Sequence, residues 1–198
     1  MLTFRKLKDL AKIERGEIMK SDETISSLAP ILRPSDIVHN RPPERLSNQY
    51  DEPLPTEFVT ARVGDIAVCL HFSPGSTCLV SESFDGAIPT KGVALCSFRQ
   101  GGNLFQIDYL KAWLLSGVLK DELQRLQIGS HMATVKLSDL EQVSVPIPDL
   151  ATQIVLSSPV TDARESALLI KDLAYETDRL LKLQNELFKS RINEYQSA

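Results

Sequence analysis

A chain of 198 residues, 42% hydrophobic and 24% charged, has room for one domain of about 150 residues with an appendage, and its composition is that of an ordinary globular protein. The formal net charge of −4 argues against a broad phosphate-binding surface, so any contact with nucleic acid has to be local. No apolar run approaches the roughly 20 residues that span a bilayer, and the charged start MLTFRKLKDLAKIERGE lacks the apolar core of a signal peptide, so the cytoplasm is the expected location.

Taken in order, Phe4, Leu7, Leu10 and Ala11 fall on one face of an expected short helix that Gly16 would end. Arg5, Lys6, Lys8, Lys12 and Arg15 crowd the other face, which reads first as a solvated surface and second as a phosphate contact. LAPILRPSDIV at 28–38 predicts a strand broken by Pro34. HNRPPERLSNQYDEPLPTE at 39–57 holds four of the eleven prolines and no apolar period, and predicts a long loop.

Short apolar runs follow. FVTARVGDIAVCL at 58–70 places a turn at Gly64–Asp65 before a strand carrying Ile66, Val68 and Leu70, and TCLVS and GVALCSF are two more strands. IDYLKAWLLSGVLKDELQRLQ at 107–127 is helical in period, with Gly117 kinking or dividing it. Ser138–Leu140 starts a further turn of helix. Val143, Val145 and Ile147 then alternate with polar or proline neighbours in a strand that Pro146 and Pro148 confine to an edge. Asp149 can cap a helix opening at Leu150.

Beyond Pro159 the chain carries no Gly and no further Pro to about Tyr195, which predicts a helix about 55 Å long at 1.5 Å per residue. Leu169, Leu173, Leu180, Leu183 and Leu187 form one stripe on it, and Ile170, Leu181 and Phe188 lie on the adjoining one. So wide an apolar face needs a partner: either the helix folds back on its own domain, or it pairs as a coiled-coil arm, the reading we prefer.

The search for chemistry is mostly negative. The sequence contains no phosphate-binding glycine loop, no paired-histidine zinc motif and no nucleophile elbow. Cys69, Cys78 and Cys96 match no zinc spacing and read as reduced, buried thiols, so no metal is expected. His39, His71 and His131 are scattered over three presumed loops. What remains is a set of loop side chains suited to nucleic acid: Arg33, Asn40, Arg41, Arg45, Asn48 and Gln49, then Arg99, Gln100 and Asn103, then Ser130, His131 and Lys136. Arginine reads guanine edges and Asn or Gln reads adenine edges, while Ser and Lys suit phosphates. Ordinary loop polarity accounts for the same composition.

The chain resembles one half of a type I restriction-modification specificity subunit. The residues that carry the resemblance are LKDLAKIERGE at 7–17, VGDIAVCL at 63–70, IDYLKAWLLSG at 107–117 and, above all, IGSHMATVKLSDLEQVSVPIPDLATQI at 128–154. In that family a glycine-led loop, a short helix, a P-x-P strand end, a Gln-containing helix start and a long helix come in this order. This sequence departs from the pattern in three ways: a single domain and a single long helix where the family usually has two of each, Thr152 where an acidic residue often precedes the Gln, and Pro159 in the helix.

The resemblance implies an α+β fold: a DNA target-recognition domain at 1–149 with a mixed or antiparallel sheet and short helices, and a helical dimerisation arm at 150–198. It implies a non-catalytic subunit that reads a short half-site in double-stranded DNA and pairs as a homodimer through its arm. It also implies docking of DNA methyltransferase subunits, which would hold S-adenosylmethionine, and leaves open whether a restriction subunit joins them; this chain would carry no cofactor. A dimeric scaffold of the same fold that does not bind DNA is the alternative. A small hydrolase is a more distant one.

Overall fold

The computed structural model describes residues 2–17, 29–43, 58–98, 104–126 and 134–158, with residues 162, 166, 173, 175–180 and 182–184 of the C-terminal segment. In chain order the strands are β1 (Thr3–Lys6), β2 (Lys12–Arg15), β3 (Ile31–Leu32), β4 (Ile66–Cys69), β5 (Thr77–Leu79), β6 (Ile88–Pro89), β7 (Val93–Ser97) and β8 (Ser144–Ile147). The helices are α1 (Pro34–His39), α2 (Leu104–Leu115), α3 (Val118–Leu126), α4 (Leu137–Glu141) and α5 (150–158). This is an α+β arrangement. Its largest sheet has the order β2-β7-β4-β5 and is antiparallel throughout, β3 and β6 pair in parallel, and β1 pairs β8 antiparallel.

The central strands IAVC and VALC are apolar at every position but the last of β7 because both faces of the sheet are covered. Ile66, Val68, Ala94 and Cys96 face one core, which they share with Leu110, Trp113 and Leu114 of α2, Leu119 and Leu123 of α3, and Val145 of β8. Ala67, Cys69, Val93 and Leu95 face a second core, completed by Ile37 of α1 and by Phe84. Emptying a fully buried leucine such as Leu114 to Ala costs about 2–5 kcal/mol in such a setting.

Gly117 divides the helical run, as its position in the pattern predicts: at φ +96 it ends α2 and lets α3 start one residue later. The edge strand is also where the prolines put it, with Pro146 opposite Phe4 in the β1–β8 ribbon. Asp149 accepts the backbone N–H of Thr152 at 3.0 Å and so caps α5.

The expected N-terminal helix is not formed. Residues 3–15 make β1, a single 3-10 turn at Leu7–Asp9, and β2. Leu7 and Ala11 are buried, as the helical reading required, but the backbone finds its partners far along the chain: Arg5 opposite Val145, and Arg15 opposite Ala94. Residues this short of helical context follow the tertiary pairing on offer. Gly16 consequently ends a strand. The strand expected at 28–38 is likewise only β3, because Pro34 opens α1, where its fixed φ and missing N–H are tolerated.

Candidate nucleic-acid interface

Antiparallel pairing brings the C-terminal ends of β2 and β4 to the N-terminal end of β7. The Gly16 N–H donates to the carbonyl of Val93 at 3.0 Å and the Leu70 N–H to that of Gly92 at 2.8 Å. Arg15, His71 and Lys91 therefore meet at one end of the main sheet. The Arg15 Nε donates to the carbonyl of Lys91 at 2.7 Å, and its Nη2 lies 3.4 Å from the Nε2 of His71. A guanidinium only donates, so His71 presents Nε2 as an acceptor and its ring is neutral. Burial and the adjacent Arg15 charge both hold its pKa below the usual histidine value.

Two more segments reach this end. Pro34, at the start of α1, lies against it: a Cβ added at Gly92 would fall 2.9 Å from Pro34 Cγ and 3.4 Å from His71 Cβ. Arg33 precedes that proline, and the Pro34 carbonyl accepts from Cys69 Sγ at 3.5 Å. The strand-like segment before α4 returns here as well, with His71 bridged to Thr134 and the Val135 N–H donating to Leu70 at 2.8 Å. Lys136 follows and is exposed.

Of the loop residues singled out in the sequence, Arg33 and Lys136 thus converge on one end of the sheet from positions about a hundred residues apart. Arg41 is exposed beyond the other end of α1. Arg33 and Arg41 both act on Asp36 between them, whose carboxyl is nevertheless pushed above its ordinary pKa because burial outweighs their charge. Asn40 occupies the left-handed C-cap of α1 at φ 48, and its side-chain amide is buried with no hydrogen-bond partner among the described residues. Arg45, Asn48, Gln49, Arg99, Gln100, Asn103, Ser130 and His131 lie outside the described residues, as do Leu169, Ile170, Leu181, Leu187 and Phe188 of the arm. The chain enters the 99–103 segment at the opposite end of β7 from Gly92.

Sequence reasoning missed the clustering of Arg15, His71 and Lys91. It assigned Arg15 to a helix face, and the partners are 56 and 76 residues away with no motif joining them. A depression of about 720 Å³ opens at the other end of the sheet and mixes Lys8, Lys12 and Arg62 with Asp9, Glu14 and Asp65. Such alternation of sign gives no directed field for an anion or a cation. Among the described residues no group of three or more His, Cys, Asp or Glu side chains could hold a metal ion. Nor is any helix there long and apolar enough to cross a membrane.

The chain matches no protein-family model and no curated protein. Solved structures do match it. The HsdS subunit from Thermoanaerobacter tengcongensis superposes over 87% of this chain with a TM-score of 0.56 and 20% identity. The chain shares its fold with that part of the HsdS subunit. A second match, from a structure concerned with complex assembly and conformational transition of the type I R-M system, covers 91% of the chain with a TM-score of 0.56 and 18% identity. The chain spans 39% and 43% of the lengths of those two chains, so it corresponds to less than half of either. Four cationic residues, Arg15, Arg33, Lys91 and Lys136, are thus gathered at one end of the main sheet around the neutral ring of His71.

Proposed function

We propose that this chain is the sequence-reading subunit of a type I-like restriction-modification or methyltransferase complex in the cytoplasm. Its body, residues 1–149, reads one short half-site in double-stranded DNA through side chains at the ends of its sheets. Its arm, residues 150–198, pairs with a second arm, antiparallel, and so fixes the distance between two half-sites. Methyltransferase subunits dock on the pair and supply S-adenosylmethionine and the methyl transfer. The chain itself binds no cofactor and carries out no chemistry.

The observation that carries this reading is the superposition of 87% of the chain on an HsdS subunit. The arrangement of charge is consistent with it. With a net charge of −4, phosphate contacts must be concentrated, and Arg15, Arg33, Lys91 and Lys136 supply a concentrated set. Each phosphate neutralised contributes about −0.9 to the slope of log affinity against log salt concentration.

Fluorescence anisotropy on duplex DNA, with the chain purified alone and together with the products of its genomic neighbours, tests the proposal. Binding that weakens steeply with salt and a methyltransferase that copurifies are the expected results. Copurification without any DNA binding would favour a scaffold role and overturn the recognition role.

A further inference from the structure

Phe72 is the most exposed large hydrophobic side chain among the described residues, at 82% exposure. Its backbone has φ +65, in the left-handed region that L side chains, and bulky ones above all, rarely adopt. Both features disfavour phenylalanine here, since glycine would relax the backbone and remove the exposed ring. The turn nevertheless holds this conformation firmly. The Ser73 N–H donates to the His71 carbonyl at 2.8 Å, the Ser73 and Ser76 hydroxyls pair at 2.7 Å, and the Gly75 N–H donates to Cys69 at 2.9 Å. Gly75 itself, at φ +78, sits so close to α3 that a Cβ would fall 2.5 Å from the Cα of Lys120. The ring is displayed on a rigid support.

The surroundings of the turn define what it can meet. His71, the preceding residue, faces the Arg15 guanidinium, and Arg15 is in turn bonded to the backbone of exposed Lys91. Thr134 bridges His71 from the other side, followed by Lys136. An exposed apolar ring one residue along the chain from the Arg15–His71–Lys91 cluster complements a polyanion with a flat apolar interior.

Resting on the reading of the chain as a DNA-recognition subunit, we propose that Phe72 is a wedge that inserts at a base step of duplex DNA while Arg15, Lys91 and Lys136 engage the flanking phosphates. Apolar side chains inserted in this way partly unstack the step and bend the duplex. The strained, exposed phenylalanine is then explained by what it does to DNA, which its own fold does not require.

The test uses the full chain with duplexes carrying 2-aminopurine, whose emission rises when it is unstacked. Wild type should raise that emission. Phe72→Gly should keep or raise the melting temperature, abolish the emission change, and weaken binding about 5- to 150-fold, the range for losing one base–aromatic stack. Its salt slope should be unchanged. Phe72→Trp should bind as wild type does, with emission quenched by DNA over the constant background of buried Trp113. Lys91→Ala should instead reduce the salt slope by about one. Phe72→Gly that binds and unstacks DNA like wild type would overturn the wedge and leave DNA recognition standing. Wild type that binds no duplex, even with its methyltransferase, would overturn both. Vesicles of mixed neutral and anionic phospholipid form the last arm: Phe72-dependent binding to these in place of DNA would also overturn the proposal.

Discussion

The phenol of Tyr109 donates to the carbonyl of Pro146 at 2.7 Å, joining α2 to β8. Pro146 has no N–H to give the β1–β8 ribbon, so this carbonyl and its phenol partner carry part of the fastening of the edge strand to the core. Burial also raises the phenol's pKa. Tyr109→Phe should therefore lower the unfolding free energy by about 1 kcal/mol, read as a shift in urea midpoint at constant slope. An unchanged midpoint would mean that the bond contributes nothing net.

Cys69 and Cys96 are buried, and burial is the main cause that pushes both thiols up to about 12. The thiolate is the reactive form, so the folded protein should resist alkylation at pH 8, with labelling limited by opening of the sheet. Full labelling of Cys69, Cys78 and Cys96 in denaturant, and slow labelling without it, is the expected mass-spectrometric result. Rapid native labelling of Cys96 would contradict the packing of β7.

Asp149 is held below the usual carboxylate range, first by the Thr152 N–H and then by the Thr152 hydroxyl. A depressed carboxyl pKa contributes stability that is fully present above the ordinary Asp value and is lost as pH falls through the lowered one. The start of α5 should accordingly fray on acidification. Amide exchange at Thr152 should rise in that window, and Asp149→Ala should show the raised exchange already at neutral pH.

The strands at Ile66–Cys69, Thr77–Leu79 and Val93–Ser97 and the break at Gly117 were legible because each is written locally, in apolar runs bounded by turn residues. The N-terminal segment was not. Leu7, Leu10 and Ala11 fit a helical face as well as they fit a strand, a 3-10 turn and a strand, and the choice is made by β7 and β8, far along the chain. The candidate interface shows the same limit. Arg33 and Lys136 could be named as loop cations, but their convergence depends on Pro34 packing against Gly92 and on Thr134 pairing with His71. Phe72 carries no signal in the sequence, since its exposure and its positive φ arise only once the turn is built.

In the arm, Leu173, Leu180 and Leu183 lie on helical residues and are 70%, 64% and 47% exposed in the single chain. If arms pair as proposed, these leucines are covered in solution. Light scattering should give a dimer at micromolar concentration, and the combined change of Leu173, Leu180 and Leu187 to Lys should give a monomer whose body keeps its circular dichroism. A wild type that is monomeric both alone and with its methyltransferase would rule out arm pairing.

The most direct test of recognition is the methylome of cells carrying this chain with its genomic neighbours, compared with cells lacking the chain. Two copies related by a two-fold axis impose that symmetry on their target. Methylation should be confined to an inverted repeat of two short half-sites with a fixed spacer, and lost when the chain is absent. Methylation indifferent to the chain would contradict it.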